Sequence, residues 1–228
     1  MEQDIQNQLL LDHLLQLVTE RRRTIMEKVL GHRTRYVTLV LEDIYQSQNA
    51  SAAVRTCECL GIQDIHVIEK QSNYSVNQSV LKGSNKWMDI KKYASKEQNA
   101  TALCYQQLRA EGYKILVTDP SADGIPIEQV TIDKKIALVM GNELEGISDY
   151  ALNNADQKVN IPMYGFTESF NISVSAAICL NTLVSKLRSS DVTWQLTDEE
   201  KQAIRLQWLK KMVRGSGIIE KKFLASIE

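Results

Sequence analysis

Tyr36-Val37-Thr38-Leu39-Val40-Leu41 is a β-rich, nearly all-apolar run, the pattern of a strand buried on both faces. A helix fits residues 49–60 and is closed by Gly61. Strand-like runs recur at 65–68, 114–118, 136–140 and 158–161, with helical segments at 97–111 and 148–154 between them. Strands alternating with helices predict an α/β fold, a mostly parallel sheet covered by helices on both faces. Upstream, Ile5, Leu9, Leu10, Leu14 and Leu17 have helical spacing over 4–18, and a second helix fits 20–30, stopped at Gly31. Downstream, a helix at about 170–187 carries Ile172, Ala176, Leu180, Leu183 and Leu187 on one stripe. A last helix at about 197–213 has Thr197 as its N-cap.

At 228 residues, 43% hydrophobic and 24% charged, the chain has ordinary globular composition and room for one domain with appendages. No stretch approaches the ~20 apolar residues of a membrane helix. The first residues lack the basic start and cleavage site of a secretory signal. Cys57, Cys59, Cys104 and Cys179 fall in predicted helices without metal spacing, and read as small buried hydrophobes in a reducing cytoplasm. The net charge of −1 speaks against a nucleic-acid partner, but the average hides a partition. Residues 1–35 carry +1, residues 36–187 carry −4 and residues 188–228 carry +2. The flanks cluster Arg21, Arg22, Arg23, Lys28, Arg33 and Arg35 at one end and Lys201, Arg205, Lys210, Lys211 and Arg214 at the other. A clustered basic footprint matters more for phosphate binding than the whole-chain charge.

Several chemistries are poorly served. No G-x-G-x-x-G follows the first strand, the Gly141–Gly146 glycine pair lacks the lysine of a phosphate-binding loop, and G-x-S-x-G is missing. The isolated His13, His32 and His66 build no metal site, and His66 reads as a core residue. Parallel sheets bind ligands at the carboxyl ends of their strands, and three polar loops stand there. The first opens a helix with Asn49-Ala-Ser-Ala-Ala-Val-Arg55, where Asn49 reads as an N-cap. The second is Met140-Gly141-Asn142-Glu143-Leu144-Glu145-Gly146-Ile147-Ser148. The third runs from Ile161-Pro162-Met163 through Ser169-Phe170-Asn171 into a helix N-terminus, where free N–H groups attract negative charge. Each alone has an ordinary explanation as a cap or a turn.

Together and in order, N-x-S-A-x-x-R-T, M-G-N-E-x-x-G-I-S and I-P-M-x-G-x-x-x-S-x-N-I-S-V-S-A-A closely resemble the three motifs of the TrmH/SpoU family of RNA ribose 2′-O-methyltransferases, within the SPOUT superfamily. Gly83-Ser84-x-x-Trp87 is similar to a further family signature. The resemblance implies an α/β core with a C-terminal deep trefoil knot that holds S-adenosylmethionine, no metal, and a homodimer joined through knot helices. It implies that Arg55 activates the ribose hydroxyl, that Asn49 helps orient Arg55, that Glu143 is the motif-two glutamate, and that Ser169 and Asn171 shape the catalytic pocket. It places Thr118, Gly141, Ile161 and Phe170 at the methyl donor, with Phe170 standing where leucine is commoner. Arginine is a weak general base, with a pKa above about 12. Two roles for Arg55 therefore stay open: transient deprotonation, or anchoring an RNA phosphate while that phosphate or Glu143 takes the proton.

The stretch Arg22-x-x-x-Met26-x-x-Val29-Leu30-x-x-Arg33 and the later Trp208-Leu209-Lys210-Lys211 resemble the helical extensions of the tRNA-modifying members, which methylate guanosine 18 in the D-loop. About 35 residues precede the first strand, fewer than the separate RNA-binding domain that ribosomal members commonly carry. The expected organisation is a basic helical extension at 1–35, a SPOUT domain at 36–187 and a helical extension at 188–228. Arg22 and Arg33 are expected to contact phosphate, with tRNA as the partner. The alternatives are a 23S rRNA ribose methyltransferase and a non-catalytic knotted RNA-binding protein.

Overall fold

Two helices, α1 (Glu2–Gln16) and α2 (Glu20–Leu30), precede β1 (Val37–Glu42). Next come α3 (Ser47–Cys59), β2 (Asp64–Glu69), the single turn α4 (Gln78–Leu81), β3 (Asp89–Ala94), α5 (Ala100–Ala110), β4 (Tyr113–Thr118) and the two-residue β5 (Ile125–Pro126). Then follow β6 (Lys135–Met140), α6 (Asp149–Asn153), β7 (Gln157–Asn160), α7 (Ile172–Arg188), α8 (Asp198–Met212) and α9 (Ser216–Ile227). This computed structural model describes residues 2–71, 74–95, 97–119 and 124–227.

The seven strands form one sheet in the order β3-β2-β1-β6-β4-β7-β5, and every pairing is parallel. All six residues of β1 are buried, so the strand alternates between two cores rather than between core and water. Val37, Leu39 and Leu41 pack on one face with Ala53, Val54 and Cys57 of α3 and with Ala176, Leu180, Leu183 and Leu187 of α7. Val40 points to the other face, with Cys104, Tyr105 and Leu108 of α5 and Ala151 of α6. The apolar stripe of α7 is therefore spent on the core. Each such fully buried leucine contributes about 1.5–3 kcal/mol, and truncating central Leu138 to alanine should cost about 2–5 kcal/mol.

Contacts divide the chain into two compact units. Residues 34–194 hold the sheet and its covering helices, while residues 2–33 and 195–227 make a helical unit from both ends of the sequence. Leu10, Leu14, Met26, Leu30, Ile204 and Trp208 are buried in the helical unit. Thr197 and Glu200 form a reciprocal capping box at the start of α8, and Arg205 grips Glu27 of α2 with bonds of 2.6 and 2.8 Å. Apart from Arg35, which pairs with Asp64 and Asp89 in the sheet unit, both basic clusters belong to the helical unit. Arg22 is exposed. Arg33 departs from the expected phosphate contact: it is 1% exposed, with its guanidinium 5.2 Å over the Trp208 ring, a placement that displays no charge to a phosphate.

Two other expectations are corrected, the Asn49 cap and the burial of Cys59. α3 begins at Ser47 with Gln46 as its N-cap, so Asn49 sits inside the first turn and its side chain is free for other partners. Cys57, Cys104 and Cys179 are buried, but Cys59 is exposed, because two positions along a helix turn a side chain to another face. His66 is buried in β2, stacked on Tyr93 with its Nδ1 2.9 Å from the phenol oxygen. Among the described residues no helix is long and apolar enough to cross a membrane.

Candidate active site

The carboxyl ends of β4, β6 and β7 and the start of α3 meet around a cavity of about 700 Å³. Thr118 ends β4, Gly141 follows β6, and Ile161 follows β7; all three line the cavity, as do Ser169, Phe170 and Asn171 before α7. Asn49 and Glu143 line it as well. A sheet whose neighbouring strands all run the same way delivers these loops to one edge, which is why sequence-distant motifs converge.

Three of the expected residues are bonded to one another. The Asn49 amide donates to Glu143 Oε1 at 2.6 Å, and the Asn171 amide donates to Asn49 Oδ1 at 3.2 Å. Glu143 Oε2 also accepts the Tyr45 backbone N–H at 3.3 Å. Asn171 is the N-cap of α7, its Oδ1 accepting from the Ser173 N–H at 2.9 Å and hydroxyl at 2.7 Å, so its remaining amide is aimed by the cap. Hydrogen bonds to a carboxylate are the stronger kind, and the set fixes the loops from α3, β6 and α7 against each other.

The loop after β6 is a closed turn. Asn142 N–H donates to the Gly146 carbonyl at 3.0 Å and Gly146 N–H returns to Asn142 at 3.2 Å. Asn142 Oδ1 accepts from the backbone of Leu144 and Glu145 at 2.9 and 2.6 Å. At Gly141 a β-carbon would lie 2.1 Å from the Gly146 carbonyl oxygen, so only glycine lets the turn close.

Arg55 does not line this cavity. It is exposed on α3, where its guanidinium donates to the Val80 carbonyl at 3.3 Å beside a second cleft of about 560 Å³ that includes Cys59 and Ala177. Asp119 lines the cavity from outside the motifs, and Asn142 lines it from the second motif, where it has no assigned role; both are polar residues at or just beyond a strand's carboxyl end, the signal that points to them. Among the described residues, the cavity lining includes Asp119, Glu143, Glu145 and Glu168 and no lysine, arginine or histidine; Lys158 pairs with Asp119 at 3.5 Å, and the three glutamates give a setting that favours a cationic ligand. Met140, Ile147, Leu152, Val159 and Phe170 supply apolar walls. Among the described residues no group of three or more His, Cys, Asp or Glu is placed to hold a metal ion.

A curated relative from Borreliella burgdorferi, a tRNA (guanosine(18)-2′-O)-methyltransferase, is 42% identical over 91% of this chain and 93% of its own length. A protein of the same description from Aquifex aeolicus is 29% identical over 84% of this chain and 90% of its own. A solved A. aeolicus TrmH/SpoU tRNA modifying enzyme superposes with a TM-score of 0.75 at 28% identity, covering 85% of this chain and 98% of that one. Residues 36–181 match the SpoU rRNA Methylase family. The family match over residues 36–181 and the 42% identical relative show that the chain belongs to the SpoU rRNA Methylase family.

Proposed function

We propose that this protein transfers the methyl group of S-adenosylmethionine to the ribose 2′-hydroxyl of guanosine 18 in the D-loop of tRNA. The observation that carries the reading is the convergence of Asn49, Glu143 and Asn171 in one cavity. The substrate follows the two curated relatives, both tRNA (guanosine(18)-2′-O)-methyltransferases.

The cavity fits the donor. Its apolar walls suit an adenosine, its three glutamates suit a sulfonium, and Gly141 and Gly146 line it without side chains. Thr118, Gly141, Ile161 and Phe170 are the residues we assign to hold it. Bound there, the donor supplies an electrophilic methyl carbon on positively charged sulfur, and no metal is required. The chain's own task is to position the ribose oxygen in line with that carbon. Asn49 and Asn171 orient Glu143, whose carboxylate takes the proton from the hydroxyl. Ser169 lines the same wall and orients the sugar. Because Arg55 lies outside the cavity, the arrangement favours its second role, anchoring an RNA phosphate while Glu143 accepts the proton. Its planar guanidinium suits phosphate in a way lysine does not match.

Exposed Arg22 of the helical unit contacts tRNA phosphate. Segments 1–35 and 188–228 act as RNA-holding extensions around a catalytic domain at 36–187. The chain from β6 onward forms the trefoil knot, a reading supported by the strand order, in which β6 lies between β1 and β4. Two copies pair through the outward face of α7, where Val174 is exposed. The enzyme works in the cytoplasm, where tRNA is modified.

Purified protein incubated with labelled donor and either unmodified tRNA or rRNA, followed by mapping of ribose methylation, tests the substrate. Label at guanosine 18 of tRNA is the expected result. Label in rRNA alone would establish the ribosomal alternative, and label in neither the non-catalytic one.

A further inference from the structure

Glu42, the last residue of β1, is 2% exposed, and three separate segments converge on its carboxylate. Oε1 accepts from Lys70 Nζ at 2.7 Å, from the Thr101 hydroxyl at 2.6 Å and from the Ser148 hydroxyl at 2.8 Å. Oε2 accepts the Ser148 backbone N–H at 3.0 Å. Burial pushes the carboxyl up, but the bonds from Lys70, Ser148 and Thr101 outweigh it and hold the group below the ordinary carboxylate range. A buried charge with this many partners is strongly geometry-dependent, since losing one leaves the others unmatched.

Ser148 is the exit of the loop that carries Gly141 and Glu143. The entrance is fixed by β6, because Leu41 of β1 pairs in register with Met140. The middle is closed on itself by the Asn142–Gly146 bonds, so the loop behaves as a rigid turn whose aim depends on its two ends. Glu42 is the group that holds the second end, with two bonds to one residue. The neighbouring Asp43 takes the left-handed conformation, φ 53°, and its Oδ1 accepts from the backbone N–H groups of Lys70 and Gln71 at 3.0 Å each. The chain then reaches Tyr45, whose N–H contacts Glu143. The end of β1 thus bears on the motif-two glutamate from both sides.

We infer that Glu42 is a positioning residue for methyl transfer: it clamps the exit of loop 141–148 at Ser148 so that Glu143 meets Asn49 and the Gly141 backbone faces the donor. The inference rests on the methyltransferase reading above. Such support shells decide whether a catalytic group is held within a fraction of an ångström, and a misplacement of about 1 Å costs about 100-fold in rate.

The test uses the full-length protein with labelled donor and a tRNA transcript, well below the melting midpoint. Glu42→Gln keeps the side-chain shape but turns one acceptor into a donor, against Ser148 or Lys70. We expect kcat to fall about 10–100-fold, KM for tRNA to stay within about twofold, and the circular dichroism spectrum to stay unchanged. Thr101→Val removes a bond to the same carboxylate without touching the loop, and should lower the melting point while keeping kcat. Ser148→Ala should lower kcat, and adding it to Glu42→Gln should reduce rate no further, as expected for one shared interaction. A folded Glu42→Gln enzyme with wild-type kcat overturns the inference, as does a Thr101→Val enzyme that loses as much kcat as Glu42→Gln. Should Glu42→Gln fail to fold, the contrast between Ser148→Ala and Thr101→Val decides: a loss in the first alone supports the clamp, and equal effects refute it. Absence of label with the wild-type protein would instead strike the methyltransferase reading itself.

Discussion

The Asn49 side-chain amide and Glu143 Oε1 lie 2.6 Å apart, although 94 positions separate them in the chain. The bond joins the first turn of α3 to the loop after β6, and Asn171 closes the set from the start of α7. A neutral donor is essential here. Asn49→Asp would set a second carboxylate against Glu143, and like charges at this range repel. Asn49→Asp should therefore lose more kcat than Asn49→Ala, which only removes the donor. Single-turnover rates of both variants check this; an Asn49→Asp enzyme as fast as Asn49→Ala would contradict it.

Gly141→Ala should damage donor binding. Its β-carbon would stand 2.1 Å from the Gly146 carbonyl oxygen and 2.4 Å from the Ile147 nitrogen, both backbone atoms that cannot step aside alone. The expected outcome is at least a tenfold weaker donor affinity by calorimetry and a stability loss of about 2–4 kcal/mol. Wild-type affinity in the variant would show that the turn opens without consequence.

Arg22 and Arg33 should behave as different kinds of residue. Arg22→Ala, at an exposed site, should weaken tRNA binding and lower the slope of log affinity against log salt by about 1. Arg33→Ala should chiefly lower the melting temperature, because it removes a buried side chain packed on Trp208. Salt titrations of tRNA binding, paired with thermal melts, separate the two.

His66 should make the fold acid-sensitive. Burial, together with the positive charge of Lys91 and against the opposing Glu111, pushes its imidazole down from 6.5 to about 4. The unfolded chain takes up the proton from pH ~6.5 downward, while the folded one stays neutral until pH ~4. Stability contributed by the neutral ring is complete above pH ~6.5 and is lost as the pH falls towards 4, by up to about 3 kcal/mol. His66→Gln should flatten the fall in melting temperature between pH 6.5 and 4.5; an unchanged slope would assign the sensitivity elsewhere.

Much of the sheet was legible because β1, β4 and β6 are buried on both faces and write continuous apolar runs. β3 was not, since Asp89-Ile-Lys-Lys-Tyr-Ala94 lies at the sheet edge, half exposed, and carries the charges of an edge strand. The short β5 and α4 have too few residues to show a period. Asn49 reads as a cap because its residue type favours one, yet Gln46 takes that place and the asparagine serves the cavity. Proximity of Asn49, Glu143 and Asn171 comes from the strand order, which local patterns do not encode. Glu42 escaped notice because a lone glutamate after an apolar run looks like a strand entering solvent, whereas it is buried beneath three segments.

The proposed methyl transfer has one acceptor, the ribose oxygen of guanosine 18. Its most direct test compares two synthetic tRNAs that differ by a single atom, one with ordinary guanosine at position 18 and one with 2′-deoxyguanosine there, each incubated with protein and labelled donor. About one methyl per molecule is expected on the first and none on the second, with the label recovered as 2′-O-methylguanosine. Equal labelling of both tRNAs would contradict it.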